Sequence, residues 1–150
     1  MRAVIQRVSF AEVKVDDKII GQIDLGLLVL LGIEDADDAS DIEWLAKKIL
    51  ALRIFSDEDD KMNCDLGDVN GGLLVVSQFT LHASTKKGTR PSFIKAAKPE
   101  KAIPMYEDFI SKCEELLGKK VETGKFGAMM DVELINDGPV TIIIDTKNKD

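Results

Sequence analysis

From Leu27 to Ile33 no polar side chain interrupts the chain. A run this short falls well below the roughly 20 apolar residues a membrane span needs. Its Leu, Val and Ile content suits instead a central strand covered on both faces. The segments before it supply its neighbours. Val4, Gln6, Val8 and Phe10 fall on one face of a period-two pattern, and Ile5, Arg7 and Ser9 on the other. Val13 and Val15 continue that strand to a turn signal at Asp16-Asp17, and Ile19 to Ile23 returns as its hairpin partner.

The remaining elements follow from changes of period. Ser40 followed by Glu43 reads as a capping box, opening a helix striped by Ile42, Leu45, Ala46, Ile49, Leu50 and Arg53. Ile54-Phe55 predicts a short strand, and Asp57 to Gly72, rich in Asp, Asn and Gly, an exposed loop. Leu73 to Thr80 reads as a strand that is apolar through Val76 and then polar at Ser77, Gln78 and Thr80. Polar residues at the end of a buried strand are what a site at a sheet edge requires. Ala83 to Ser92 is a loop. Ile103, Tyr106, Phe109, Ile110, Cys113, Leu116 and Leu117 then mark a second helix that Gly118 ends. Val121 to Phe126, Met129 to Ile135 and Val140 to Ile144 complete the pattern as three strands. The order β-β-β-α-β-β-α-β-β-β predicts an α/β chain of the mixed α+β type. It is expected to form a single domain over residues 1–150, with two main helices packed on a many-stranded sheet that curls or forms two β layers. No glycine-rich crossover points to a dinucleotide fold.

Composition narrows the function classes. Two cysteines, Cys64 and Cys113, have neither metal nor redox spacing, and the N-terminus lacks a signal-peptide pattern, so the expected location is the cytoplasm. A net charge of -7 argues against a nucleic-acid partner until its distribution is considered. Lys86, Lys87, Arg90, Lys95, Lys98 and Lys101 face Glu100 alone, a local charge of +5 that is either a solvated face or an anion-binding stripe.

Metal chemistry finds little support. His82 is the one histidine, no ligand spacing surrounds it, and Asp57 to Asp60 miss the calcium-loop pattern. No cofactor is expected. A Gly-x-Ser-x-Gly elbow is also missing. On a continuing strand Thr80 and His82 would share a face, so a pair is conceivable, but about 6 to 7 Å is long for direct proton transfer. His82 therefore reads as a surface or site-rim residue. Asp137-Gly138-Pro139 has two readings: a hairpin turn, or a Gly-Pro backbone that approaches a ligand closely and can adopt a cis bond.

Two ungapped blocks, Ser77-Gln78-Phe79-Thr80-Leu81 and Asn136-Asp137-Gly138-Pro139-Val140-Thr141, resemble the signature pair of the D-aminoacyl-tRNA deacylases, also called D-tyrosyl-tRNA deacylases. Nearly the whole chain shares the likeness, including Gly26 to Gly32, Leu52 to Phe55, Lys86 to Phe93 and Val121 to Ala128. The resemblance implies the deacylases' fold and a homodimeric cytoplasmic hydrolase. Such an enzyme cleaves the ester of D-aminoacyl-tRNA without metal or cofactor. It further implies that Gly138-Pro139 is a cis peptide whose carbonyls enter the neighbouring subunit's pocket, with Arg7 steadying them. An L side chain would meet those carbonyls and a D side chain would point away, so L substrates are rejected by clash. Glycine, with no side chain to reject, would be accepted as well.

Ser77, Gln78, Phe79 and Thr80 are the implied catalytic segment. In one version of the chemistry, backbone N–H groups around Phe79 and Thr80 hold the ester carbonyl while water attacks, helped by the free ribose hydroxyl. In the other, Thr80 is the nucleophile, which needs an adjacent base that the motif does not offer. The first version is preferred, with Thr80 positioning the substrate, Ser77 and Gln78 orienting strand and substrate, and Phe79 supplying apolar wall. Phe126 and Met129 line the adenosine pocket or belong to the core. The +5 segment would contact tRNA phosphates, a contact that weakens with salt. A related esterase or amidase, and a non-catalytic RNA-binding dimer, are the alternatives.

Overall fold

The structure, a computed structural model, describes residues 1–150. The uninterrupted apolar run is strand β3 (Gly26–Gly32), flanked by β1 (Arg2–Val15) and β6 (Gly72–Ser77). Both of its faces are buried, as its composition requires. Leu27, Val29 and Leu31 join a core shared with helices α1 (Ala39–Leu50) and α2 (Pro99–Leu117), while Leu28 joins a second core inside the curl of the sheet. The neighbouring β6 repeats the division, with Leu73 and Val75 toward the helices and Leu74 and Val76 toward the curl.

β1 is the hub of the sheet. One edge carries β2 (Lys18–Ile23) and then β3 end to end, with Ala11 opposite Ile23 and Val8 opposite Gly26. Val8 and Ala11 both face the inner core, so Ser9 and Phe10 absorb a change of phase, and Phe10 does not continue the face of Val8 as strict alternation predicts. Past this point β2 leans over β6 and over β7 (Glu122–Thr123). The approach requires Gly21, where a Cβ would lie 2.5 Å from the Thr123 carbonyl. The outcome is a mixed α/β fold whose six-stranded sheet nearly closes on itself.

Several boundaries depart from the sequence reading, among them α1, which ends at Leu50 short of Arg53, and the strand expected over Val121 to Phe126, which spans only Glu122–Thr123. α1 is capped by Asp38, not Ser40: the Asp38 carboxylate accepts from Ser40 N–H at 2.9 Å and Asp41 returns a bond to Asp38 N–H at 2.9 Å. Two carboxylates placed there complete a capping box two residues earlier than the Ser-Glu pair. Glu43 pairs with Lys47 instead. The Asp57–Gly72 loop holds a strand, β5 (Met62–Cys64), paired with β4 (Phe55–Ser56). The two strands expected on either side of Asn136-Asp137-Gly138-Pro139 are one, β8 (Asp131–Asp145), running along the other edge of β1. The C-terminal end of α2 is as expected, with Gly118 in the left-handed conformation at φ 75°. Cys64 and Cys113 are unpaired, and burial pushes the Cys113 thiol up to about 12, which keeps it protonated and inert. No helix is long and apolar enough to cross a membrane.

The chain's ends are tied together by charge. The buried Met1 ammonium pairs with Asp37 and donates to the Thr146 hydroxyl at 2.7 Å, and Lys147 reaches Asp41 at 2.9 Å. Burial pushes the Asp41 carboxyl up, but hydrogen bonds from Thr146, the Asp38 backbone and Lys147 outweigh it, leaving it at about 2 against an ordinary 3.8. A carboxyl depressed by folding stabilises the native state above its unfolded value, and that contribution disappears as pH falls through the folded one. The thermal midpoint is therefore expected to drop between about pH 4 and pH 2. Asp41→Asn should lower the midpoint at pH 7 and flatten this acid limb in circular-dichroism melts. An unaltered limb in the variant would place the acid sensitivity elsewhere.

Candidate functional site

At Ser77 the chain leaves the sheet. Gln78 still donates its N–H to the Leu31 carbonyl at 2.8 Å, and the backbone then coils into a 3-10 turn over Phe79–His82. Strand β6 thus ends three residues before Thr80, and the alternation expected to carry it through Thr80 does not apply. The turn puts Phe79, 55% exposed, and Thr80 on the surface, with Ser77 and Gln78 half-buried beneath them. Leu81 N–H bonds the Gln78 carbonyl and Ala83 N–H the Thr80 carbonyl, but the N–H groups of Phe79 and Thr80 have no partner within the protein. Unpaired donors at the first turn of a helix form an anion-friendly cradle. The Gln78 amide donates to the Thr80 hydroxyl, which leaves that hydroxyl's proton free.

His82 is not at the surface. It is 4% exposed, packed on Gly32, with Nδ1 3.9 Å from Glu34 and no partner for Nε2. The coiling of the turn rotates it under the site instead of along a strand face, so it is not placed to serve Thr80. No group of three or more His, Cys, Asp or Glu side chains converges to hold a metal.

The second motif is a protrusion from β8, not a hairpin. Gln6 pairs with Thr141 and Val8 with Asn136, so the single residue Arg7 faces four residues, 137–140. The excess backbone is forced outward and leaves Asp137, Gly138 and Pro139 exposed. Gly138 has φ 148°, a Cβ there would lie 2.7 Å from the Val140 side chain, and the Gly138-Pro139 peptide is cis. Arg7 holds the base of the protrusion. Its Nε donates to the Asp137 carbonyl at 2.8 Å and its other arm to the Ile54 carbonyl at 2.6 Å. The carbonyl it grips directly is thus the one before Gly138.

Asn136 and Gln6 are site residues that sequence reasoning assigned no role. The Asn136 carbonyl accepts from Val140 N–H at 2.7 Å, and its amide donates to Val140 O at 3.2 Å, Thr141 Oγ1 at 3.1 Å and Gln6 Oε1 at 3.3 Å. One side chain thereby replaces the strand pairing lost where the ladder opens. An asparagine preceding Asp-Gly-Pro was the available signal, since Asn bonds local backbone readily.

A single chain does not bring the two motifs together. Ser77 lies level with Leu31, Ala3 and Ile144, whereas Gly138 is level with Arg7, four residues further along β1 and three strands across. At about 3.3 Å per residue and 4.8 Å per strand, on the order of 20 Å of sheet separates them. Phe126 packs at a tilt against Tyr106, ring centroids 6.0 Å apart, and lines a cavity of about 490 Å³ between α2 and the segment Lys120–Phe126. Met129, 92% exposed, lies outside that cavity.

The family model described as D-Tyr-tRNA(Tyr) deacylase matches residues 4–145. A protein of Flavobacterium johnsoniae named D-aminoacyl-tRNA deacylase is 61% identical over 150 residues, the whole of both chains. One of Cytophaga hutchinsonii with the same name is 64% identical over 149 residues, 99% of each chain. Among solved structures, a protein named c-Myc DNA Unwinding Element Binding Protein superposes with a TM-score of 0.93 at 40% identity, over 97% of this chain and 99% of that one.

If the Asn136 side chain secures the protrusion, Asn136→Ala should destabilise the protein by about 1–2 kcal/mol, the scale of lost buried hydrogen bonds. It should also speed exchange of the Val140 amide at least tenfold while amides of the β1–β3 ladder keep their protection. Undiminished protection of Val140 would show that the pairing with β1 suffices.

Proposed function

This chain belongs to the D-Tyr-tRNA(Tyr) deacylase family, and from that premise we propose that it hydrolyses the ester joining a D-amino acid to tRNA. The observation that carries the mechanism is the pair of unpartnered N–H groups of Phe79 and Thr80 at an exposed turn. They are the donors an ester oxygen needs as it gains negative charge. An ester is already activated, so holding the oxygen and aligning water accounts for much of the barrier lowering. The free ribose hydroxyl beside the ester assists the water. Thr80 positions the substrate instead of attacking it, because its neighbour is an amide and the one histidine is buried away. Ser77 and Gln78 hold the strand end, and Phe79 offers the apolar wall.

Selectivity, in this reading, belongs to the Gly138-Pro139 protrusion. Its carbonyls meet an L side chain and leave room for a D side chain or for glycine, so glycyl-tRNA is also a substrate. Arg7 and Asn136 support this role by immobilising the segment on both sides. The distance between the motifs within one chain supports a homodimer in which each protrusion enters the other subunit's site. β8 supports it too, as a 15-residue edge strand that exposes Val132, Ile135 and Ile143. Long apolar edges of this kind are normally covered. Phe126 and Met129 contribute to the adenosine end of the site, and the enzyme acts in the cytoplasm on tRNA.

A nucleic-acid-binding role without hydrolysis is favoured by one finding, the name of the solved relative at 40% identity. Incubation with D-Tyr-tRNA and L-Tyr-tRNA separates the readings. Release of amino acid from the D form alone is the expected result. Equal release from both would overturn the chiral account and point to a general esterase, and no release would favour a binding protein. Thr80→Ala is expected to retain turnover within about tenfold, since loss of a true nucleophile is far larger. A drop beyond a thousandfold would make Thr80 the attacking group.

A further inference from the structure

The basic stretch after the 3-10 turn does not act as one surface. Lys101 turns away and donates its ammonium to the Asp35 carbonyl. Lys86, Lys87 and Lys95 instead converge, with Ser84, Ser92 and Ile94, around a cavity of about 330 Å³. Its frame is closed by reciprocal backbone bonds, Ser84 N–H to Ser92 O at 2.8 Å and Ser92 N–H to Ser84 O at 2.9 Å. Every ion pair in the protein uses other residues, so the three lysines that line this cavity have no carboxylate partner. This happens on a chain of net charge -7 in which acidic residues are plentiful. Three unpaired lysines on neighbouring backbone make a local positive potential that favours a bound anion.

The cavity's position says which anion. Phe93, adjacent to Ser92, packs edge-on against Phe79 with ring centroids 5.1 Å apart, so the lysine cavity is coupled by direct contact to the turn that presents the unpaired N–H groups. Ser84 lies two residues beyond the end of that turn. A terminal aminoacyl ester seated on Phe79 and Thr80 continues into a chain of phosphodiesters that must leave past this corner. An acidic protein would repel that polyanion unless local positive charge met it.

We propose that Lys86, Lys87 and Lys95, with the hydroxyls of Ser84 and Ser92, form a phosphate-binding pocket for the single-stranded acceptor end of tRNA. It would hold the backbone on the 5′ side of the reacting nucleotide. The proposal rests on the deacylase reading for its substrate but makes a separate claim about where binding energy arises. It also divides labour within the basic stretch, since Lys101 is already engaged and contributes no contact.

The test compares D-Tyr-tRNA with the D-tyrosyl ester of adenosine, which carries no phosphate. In Lys86→Glu/Lys87→Glu/Lys95→Glu the KM for D-Tyr-tRNA should rise at least tenfold with little change in kcat. The slope of log affinity against log salt should fall by about 2, since each single-strand phosphate contact contributes about 0.7. The adenosine ester should be cleaved within about twofold of the unaltered rate, as should both substrates by the control Lys61→Glu. A KM for D-Tyr-tRNA within twofold and an unchanged salt slope would overturn the pocket. Equal losses on both substrates would also overturn it, because the effect would then lie in the catalytic turn. Should the unaltered protein cleave neither substrate, the deacylase reading fails on its own. Titration of both proteins with uncharged tRNA then decides the pocket, which stands if the triple variant binds at least tenfold more weakly and falls if the two bind alike.

Discussion

Backbone pairing along β1 governs the rest of the molecule. The strand is bonded on one edge by β2 and β3 in succession and on the other by β8 over most of its length. Each side chain on it therefore has a fixed height and face, and anything that breaks the ladder must be expelled or repaired. The change of phase at Ser9-Phe10 bends the sheet so that β2 can cover β6. The four-against-one mismatch at Arg7 ejects Asp137, Gly138 and Pro139. Both features are made from the same material, hydrogen bonds that one strand cannot complete in a regular way.

Repair at the second break is specific. A main chain pushed out of a ladder leaves donors and acceptors that are costly if buried unmet. Asn136 supplies both partners for Val140, and Arg7 fills the remaining gap with two donors in a rigid fork. A segment held this way keeps one shape without strand partners of its own. The proposed exclusion of L substrates by shape requires that property, since a yielding loop would let the wrong enantiomer in.

The other end of the sheet shows the converse. Where β6 stops, the fold leaves the N–H groups of Phe79 and Thr80 unpaired and open to solvent instead of repairing them. The layers below, with Leu73 to Val76 buried on both faces, hold those donors in place. Charge is arranged on the same plan. Asp37, Asp38 and Asp41 are committed to internal pairs and a helix cap, while three lysines without an ion pair line a cavity beside the open turn.

Period and composition alone determined the two-sided burial of β3, the apolar stripes of both helices except at Arg53, beyond the end of α1, and at the exposed Ile103 and Leu116, the Gly118 stop and the change from apolar to polar along β6. These are local properties, set by which face each residue presents, and a chain carries them wherever it folds. The two motif blocks were likewise legible as sequence, since resemblance needs no geometry. What the tertiary structure decided concerns partners distant in the chain. Asn136 to Pro139 reads locally as a turn between two strands, and only the register against β1 makes it a protrusion within one. His82 looked peripheral until the turn carried it onto Gly32. The +5 stretch looked uniform until the Ser84–Ser92 bridge gathered three lysines and Asp35 withdrew a fourth. In each case the deciding contact joins residues whose proximity is a consequence of sheet pairing, which no local window of sequence contains.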